Sequence, residues 1–272
     1  MASTIEWTDE TWNPVTGCTR VSPGCDHCYM FTLYPRLTAM GVPGYESDPS
    51  SVRLLPERLE APLRWARPRR VFVNSMSDVF HPRVPYNFIN DIFDVMREAS
   101  EQRGHVFQVL TKRPGRAVGW WESNEARYSG EWPEGVWLGT SIENQKYAPR
   151  LTVLARVPAP IRFASAEPLL GPVDLTAWLS TGALSWVIVG GESGQRARRM
   201  DLKWLEALKL QCEKNSVPLF VKQLGTLWAR AVESNDPKGG SPADWPEGIA
   251  SREYPTTKKQ ATRLVTKRGY GG

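Results

Sequence analysis

Histidine and cysteine are scarce in this chain, which has only three histidines and four cysteines among its 272 residues. Three of the cysteines, Cys18, Cys25 and Cys28, nevertheless lie within the eleven residues from 18 to 28, whereas Cys212 is distant. Three close thiols without a matching fourth are typical of a metal or cluster site that keeps one position open. An open position is where a substrate or cofactor binds.

Long hydrophobic runs are also missing. No apolar segment approaches the roughly 20 residues that span a bilayer, and the start MASTIEWTDETWNP lacks the apolar region of a signal peptide. We therefore expect a cytoplasmic protein with no membrane partner. In a reducing compartment, clustered cysteines are more often metal ligands or catalytic groups than disulfides. The segment GGESG lacks the lysine and the spacing of a P-loop, which excludes a nucleoside triphosphatase of that type.

Acidic residues are nearly absent from the end of the chain. Residues 251–272 carry six basic side chains and one acidic side chain, Glu253. The net charge of this segment, +5, equals that of the whole chain. The basic residues are Arg252, Lys258, Lys259, Arg263, Lys267 and Arg268. Such a tail either contacts nucleic acid or is a solvated, disordered end.

Short apolar runs alternate with helical patterns along the first 228 residues. The predicted strands are RVFVNS (70–75), HVFQVLTK (105–112), VWLGTSI (136–142), IRFASAE (161–167), SWVIVGGE (185–192) and LFVKQLG (219–225), with a further strand in TWNPVTG (11–17). Helical apolar stripes occupy 84–100, 144–157 and 201–215, the last with Asp201 as its N-cap. This alternation predicts an α/β fold, either an open parallel sheet or a parallel (β/α) barrel, partial with six or seven strands.

The alternation stops near residue 228, which predicts a barrel over 1–228 and a C-terminal extension over 229–272, disordered from about 251. Within the barrel, a Pro- and Gly-rich segment at 122–135 interrupts the strand and helix pattern, and three tryptophans lie in or next to this excursion. Trp120, Trp121 and Trp132 either cover the flank of the barrel, the favoured interpretation, or stack on nucleic-acid bases.

Each predicted strand begins apolar and ends polar. The carboxyl ends of parallel barrel strands open on one face, where active sites form, although turns and helix caps also use such residues. The cysteine segment follows the first predicted strand and joins the same face. A structural zinc ion needs a fourth protein ligand, and of His27, His81, His105 and Cys212 only His81 is predicted near this face. A 4Fe–4S cluster needs no fourth residue and keeps one iron open.

These features resemble the radical S-adenosylmethionine enzymes, and specifically a phage and prophage family of unknown function with the same three-cysteine motif. The resemblance covers roughly residues 4–228 and rests on ordered sequence blocks. The blocks are IEWTDETWNPVTGC, GCDHCY, NSMSDVFH, FQVLTKRP, VWLGTSIEN, RFASAEPLLGP, WVIVGGESG and VPLFVKQLG. The first cysteine gap departs from the superfamily, whose usual spacing is three residues and then two, because six residues separate Cys18 from Cys25.

The resemblance implies a radical-SAM-like TIM-barrel fold, a 4Fe–4S cluster on Cys18, Cys25 and Cys28, and S-adenosylmethionine on the open iron. His27 would stack on the adenine. The other implied cofactor-binding residues are Asn74, Ser75, Ser77, Thr140, Ser141, Glu143, Glu167, Gly190, Gly191 and Glu192. Lys112, Asp78 and Lys222 remain for the substrate as the implied catalytic residues, unless the lysines pair with Glu143, Glu167 or Glu192.

The implied reaction cleaves S-adenosylmethionine to a 5′-deoxyadenosyl radical that abstracts hydrogen from the substrate. A nucleic acid or nucleotide substrate, undergoing base modification or repair, is the leading hypothesis. An electron donor of the flavodoxin or ferredoxin type is implied, a separate partner protein is left open, and a phage-encoded protein would act in the host cytoplasm. The alternative is a non-catalytic iron–sulfur or zinc protein that binds nucleic acid or a partner.

Overall fold

The structure is a computed structural model, and it describes residues 5–46 and 48–256. Its strands are β1 (Glu10–Trp12), β2 (Val15–Thr16), β3 (Arg53–Leu54), β4 (Arg70–Val73), β5 (Val106–Thr111), β6 (Val136–Ser141), β7 (Arg162–Ala166), β8 (Trp186–Gly190) and β9 (Leu219–Gln223). Its α-helices are α1 (Tyr29–Ala39), α2 (Tyr86–Arg103), α3 (Pro114–Asn124), α4 (Arg150–Leu154), α5 (Thr176–Ser180), α6 (Leu202–Lys214) and α7 (Thr226–Ala231). No helix of the described residues is long and apolar enough to cross a membrane.

Seven strands form one parallel sheet in the order β1-β4-β5-β6-β7-β8-β9, which curls into a half-barrel. Every crossover leads to the next strand in the same direction, so all seven carboxyl ends lie along one edge. Strands β2 and β3 form a separate antiparallel pair. The predicted α/β fold with a partial parallel barrel is confirmed at this level.

The predicted elements occur with shifted ends. The segment 11–17 is not one strand, because Asn13 and Pro14 separate β1 from β2 and lead the chain out of the sheet. The predicted helix at 144–157 is also shorter, with α-helix only at Arg150–Leu154. At α6, the Asp201 side chain accepts the Lys203 N–H as the predicted N-cap.

Aromatic side chains fill the concave face of the sheet near the amino ends of the strands. This cluster comprises Trp7, Phe72, Trp137, Ile161, Phe163, Trp186, Ile188 and Phe220. Trp7 and Phe72 pack with ring centroids 4.6 Å apart. The convex face instead presents small aliphatic residues, such as Val187 and Val189, to the helices. These buried rings therefore fill the concave face near the amino ends of the strands.

Strand alternation determines which residues surround that space. Side chains two positions apart share a face, so the residues following the aromatic cluster also point to the concave side. They are Lys112, Gly139, Ser141, Glu143, Ser165, Glu167, Gly190, Glu192 and Lys222. The concave face thus changes from bulky and apolar at one end to small, polar and charged at the other.

The C-terminal extension spans the gap between the two edge strands. Ser251 and Glu253 exchange backbone hydrogen bonds with β9. The Tyr254 ring packs 5.6 Å from that of Trp186, and its hydroxyl donates to the Glu6 carbonyl near β1. Residues 251–254 are thus part of the packed molecule, whereas the other basic residues of the predicted tail, from Lys258 onward, lie outside the described residues.

The tryptophans of the predicted excursion belong to the core. Trp120, Trp121 and Trp132 are all buried and pack around Phe93 and Tyr128. The Trp120 indole N–H is also satisfied internally, by an Asn side chain 2.8 Å away. Their predicted role in covering the flank is confirmed, and base stacking on them is wrong because their faces are covered by other rings.

Candidate functional site

The cysteine loop, defined as residues 18–28, lies at the carboxyl edge of the sheet. It follows β1 and β2, and Cys28 immediately precedes helix α1. The Cys18 N–H donates to the Pro49 carbonyl at 2.9 Å. Gly17 turns the chain into the loop with a φ of +78°, a conformation that favours glycine. The predicted position of the cysteines at the mouth of the barrel agrees with this geometry.

The first contact between the sheet and the cysteine loop is made by Arg113. Its Nη1 lies 2.9 Å from Asp78 Oδ2 and 3.9 Å from Cys18 Sγ. Its Nη2 donates to both the carbonyl and the hydroxyl of Thr19 at 3.0 Å. Asp78, a predicted catalytic residue, is therefore fully engaged in holding the arginine and is not free for a substrate.

The second contact is centred on Glu143, whose side chain is fully buried. The carboxylate accepts from Ser22 Oγ at 2.6 Å, Lys112 Nζ at 2.6 Å and Arg150 Nη1 at 3.3 Å. Gly24 lies directly above it, because a Cβ at that position would be 2.6 Å from Glu143 Oε1. Glu143 and Lys112 thus support the loop near Cys25, rather than standing free for a cofactor or substrate.

The third contact is centred on Glu192. Its carboxylate pairs with Arg198 and lies 3.2 Å from His27 Nδ1. Arg198 also donates to the Pro23 carbonyl at 2.8 Å and approaches Asp26 at 3.5 Å. His27, predicted to stack on an adenine, is held at one ring nitrogen while 28% of its side chain remains exposed.

Three acidic residues follow strands β4, β6 and β8, and each forms an ion pair with a basic residue. Together these pairs hold the cysteine loop against the edge of the sheet. The pairs are Asp78–Arg113, Glu143–Lys112 and Glu192–Arg198. Four residues that hold the cysteine loop or its partners were not predicted as site residues: Arg113, Arg198, Arg150 and Ser22. A signal was present for two of them, since Arg113 and Arg198 both closely follow predicted strand ends.

The three thiols are near each other and poorly solvated. Burial, with a contribution from Asp78, raises the pKa of Cys18 to about 12, and burial also raises the pKa of Cys28. Cys25 contributes to the raised pKa of both Cys18 and Cys28. Among the described residues, no three His, Cys, Asp or Glu side chains form a group that could hold a single metal ion. Ligation would have to displace thiol protons.

Three of the four candidate fourth ligands are engaged elsewhere or lie away from the cysteine loop. His81 lies close, but its Nδ1 accepts the Arg83 N–H at 3.1 Å and its Nε2 lies 2.8 Å from Thr19 Oγ1. His105 lies at the amino end of β5 and receives the Arg69 N–H. Cys212 is buried on the apolar face of α6, as predicted.

His81 is expected to give the folded state a pH-dependent component. Burial, assisted by the charge of Arg113, lowers the pKa of His81 from 6.5 to about 4. As the pH falls, His81 takes up a proton in the unfolded chain before it does so in the folded protein. Its contribution to the free energy of unfolding is therefore fully present above pH 6.5, and about 3 kcal/mol of it is lost as the pH falls to about 4. Urea unfolding between pH 4 and 7 should show a flatter pH dependence for His81→Gln than for the natural chain. Parallel curves would contradict this assignment.

Several predicted cofactor-binding residues use their polar groups within the protein. The contacts are Val15 N–H to Asn74 Oδ1, Ser75 Oγ to Asn13 Oδ1, Ser77 Oγ to the Gly17 carbonyl and Thr140 Oγ1 to the Thr111 carbonyl. By alternation, Thr140 also faces the helices and not the concave space. Gly191 is required by packing, since a Cβ there would lie 2.3 Å from the Leu224 carbonyl oxygen. These hydrogen bonds and the packing at Gly191 shape the edge of the site.

Two serines and a glycine line the open part of the concave face. Ser141 and Ser165 are register partners on β6 and β7, and both are buried. Neither hydroxyl has a hydrogen-bond partner among residues 5–46 and 48–256. Beside them, Gly190 leaves room for the Glu167–Lys222 ion pair, whose N and O atoms are 2.5 Å apart. Ser165 was predicted as one of the polar strand ends that line the pocket, but not as a cofactor-binding residue.

Comparison with known protein families gives a match whose description names no activity. Residues 2–268 match the family model described as "Protein of unknown function (DUF5131)". Neither the curated proteins nor the solved structures contain a match to this chain. The resemblance to radical S-adenosylmethionine enzymes therefore stays a prediction. Because the family model covers nearly the entire chain, the protein belongs to the DUF5131 family.

Proposed function

We propose that this protein is a radical S-adenosylmethionine enzyme whose half-barrel is of the TIM-barrel type and whose cysteine loop holds a 4Fe–4S cluster. The observation that carries the proposal is the support of the cysteine loop by three ion pairs at strand ends, directly beside an open concave face. A loop that only had to bind a structural ion would not need this attachment to the strand ends that line a pocket.

The donor set fits a cluster better than a single ion. The three cysteines supply the three thiolates that a cluster with one open iron takes, whereas a structural zinc ion takes four protein ligands. Arg113 and Lys112 each offset part of the burial that raises the pKa of Cys18 and of Cys28, respectively, which assists ligation by the thiolates. When bound, the cluster and S-adenosylmethionine would supply the electron and the 5′-deoxyadenosyl radical.

The residues of the chain would then orient the reactants and exclude water. Ser141 and Ser165 offer unused hydroxyls for the polar groups of the cofactor, and Gly190 permits its close approach. The Glu167–Lys222 pair, next to Gly190, can accept and donate hydrogen bonds to a bound reactant. The aromatic cluster below closes the pocket, which keeps a reactive intermediate away from solvent.

We propose a nucleic acid or nucleotide as the substrate. Arg196 and Arg199 support this class, because they lie exposed on the loop after β8 without an ion-pair partner among the described residues. They flank Arg198, which contacts the cysteine loop, so a phosphate bound there would lie beside the mouth of the pocket. The proposal includes an electron donor of the flavodoxin or ferredoxin type.

The test is anaerobic reconstitution with iron and sulfide, followed by reduction in the presence of S-adenosylmethionine. We expect about four irons per chain and release of 5′-deoxyadenosine, measured by mass spectrometry. Stoichiometric zinc with no 5′-deoxyadenosine would overturn the proposal and favour a non-catalytic zinc protein. Iron and sulfide without cleavage would overturn the catalytic part and leave a cluster-containing binding protein.

A further inference from the structure

We infer that Arg113 is a positioning residue for Cys18, holding the first ligand of the long cysteine gap in place and donating an N–H···S hydrogen bond to it. This inference rests on the proposed function, because it concerns the cluster that the cysteine loop would hold. It adds a residue outside the cysteine motif and assigns a role to the ion pair between Arg113 and Asp78.

One guanidinium connects four acceptors at this position. Its Nη1 reaches both Asp78 Oδ2 and Cys18 Sγ, while Nη2 reaches two oxygens of Thr19. Only arginine presents donors in such a fixed planar fork; a lysine ammonium can replace the charge but not this geometry. Cys18 and its neighbour are therefore held together by a single side chain that belongs to the sheet edge.

Arg113 is itself fixed by its surroundings. It follows β5 and precedes Pro114, which restricts its backbone, and its N–H donates to Thr111 Oγ1 at 2.9 Å. Asp78 also accepts from the Thr111 hydroxyl at 2.7 Å and from the Lys112 N–H at 3.2 Å. Since the carboxylate has little freedom, the arginine that pairs with it has little freedom either.

The six-residue gap between Cys18 and Cys25 explains why such a contact is needed. A shorter gap restrains the first cysteine through the backbone, whereas a longer gap leaves it more conformational freedom to lose on ligation. Arg113 holds the beginning of the gap at Thr19, and Glu143 holds its end at Ser22. The side chains of the strand ends thus replace the restraint that a short gap would provide.

The contact to sulfur also has an electrostatic consequence. A donor that points at a ligating thiolate stabilises the more negative, reduced form of a cluster and raises its reduction potential. A purely structural arginine would affect folding or cluster content without this direction of change. Arg116 provides a matched control, since it lies in the first turn of α3, directly after Arg113, but donates to the Val84 carbonyl and contacts the Tyr86 ring.

The experiment compares the natural chain with Arg113→Lys, with Arg116→Gln and with the double variant Arg113→Gln, Asp78→Asn, which leaves no buried charge unpaired. Each protein is reconstituted anaerobically, its melting temperature is recorded, and the cluster potential is measured by redox titration. We expect both Arg113 variants to have more negative potentials than the natural chain. We also expect them to lose iron to a chelator about 10- to 100-fold faster, whereas Arg116→Gln behaves as the natural chain.

The outcomes separate the inference from the function on which it rests. A natural chain that binds no iron and sulfide contradicts the proposed function itself. A loaded natural chain whose Arg113→Lys variant is folded and has unchanged potential and iron-release rate contradicts only the role of Arg113. Equal changes in Arg116→Gln would also overturn it, because they would indicate a general effect on helix α3.

Discussion

Replacing any one of Cys18, Cys25 and Cys28 by Ala should abolish cluster assembly and reduce 5′-deoxyadenosine formation to background. Each thiolate would bind a different iron, so neither of the two remaining cysteines of the loop could replace the one that is lost. The His81 ring is engaged at both nitrogens, so it cannot substitute without breaking its contact to Thr19. Iron and sulfide content, the visible absorption of the cluster and product formation are the measurements.

Cys212→Ala is the matched control. This thiol is buried on α6 near Leu205 and Leu208, far along the chain from the cysteine loop, and its removal takes away only a small apolar group. The variant should assemble the cluster and cleave S-adenosylmethionine at the natural rate. Loss of the cluster in Cys212→Ala, or its retention in a variant of the cysteine loop, would show that the ligands are assigned wrongly.

Glu143→Ala should be the most destabilising single change at the site. Removal of this buried carboxylate leaves Lys112 and Arg150 without their anionic partner in a poorly solvated region, which costs about 3 kcal/mol of unfolding free energy. It also releases Ser22 and leaves a space beneath Gly24. We therefore expect lower stability in urea unfolding together with poor cluster retention.

The matched control is Glu122→Ala, which removes a carboxylate from an exposed pair with Arg156. Exposed ion pairs contribute about 0–1 kcal/mol, so this variant should unfold close to the natural chain. Equal stabilities of the two variants would contradict the buried role of Glu143. A destabilised Glu143→Ala protein that still keeps its cluster would contradict the support of the cysteine loop by this residue.

The sheet was predictable because its strands are buried on both sides. The run at 186–190 is apolar at every position, which a strand covered by helices on one face and aromatic rings on the other requires. The short helix at Arg150–Leu154 was predicted too long, because an apolar stripe records which side is buried but not where the helical hydrogen bonds end.

The site was predictable in position but less so in its internal contacts. Polar residues at strand ends indicated the correct edge, yet Thr140 and Ser141 are adjacent in sequence and point to opposite faces. Lys112 and Lys222 were predicted as free substrate-binding groups unless paired with glutamates, and both are paired, with Glu143 and Glu167. Whether two charged side chains form an ion pair depends on the distance between neighbouring strands, and the sequence of one strand does not specify that distance.

The sequence by itself determined the parallel α/β sheet, the edge at which its polar residues gather and the position of three cysteines beside that edge. These properties follow from periodicity and chain order, which are local. Only the tertiary structure decided that Asp78, Glu143 and Glu192 support the cysteine loop, while Ser141 and Ser165 remain unpaired in the concave space. That division arises because charged side chains pair with whatever the fold brings within hydrogen-bond distance, and residues such as Ser22 and Glu143 are neighbours only after folding.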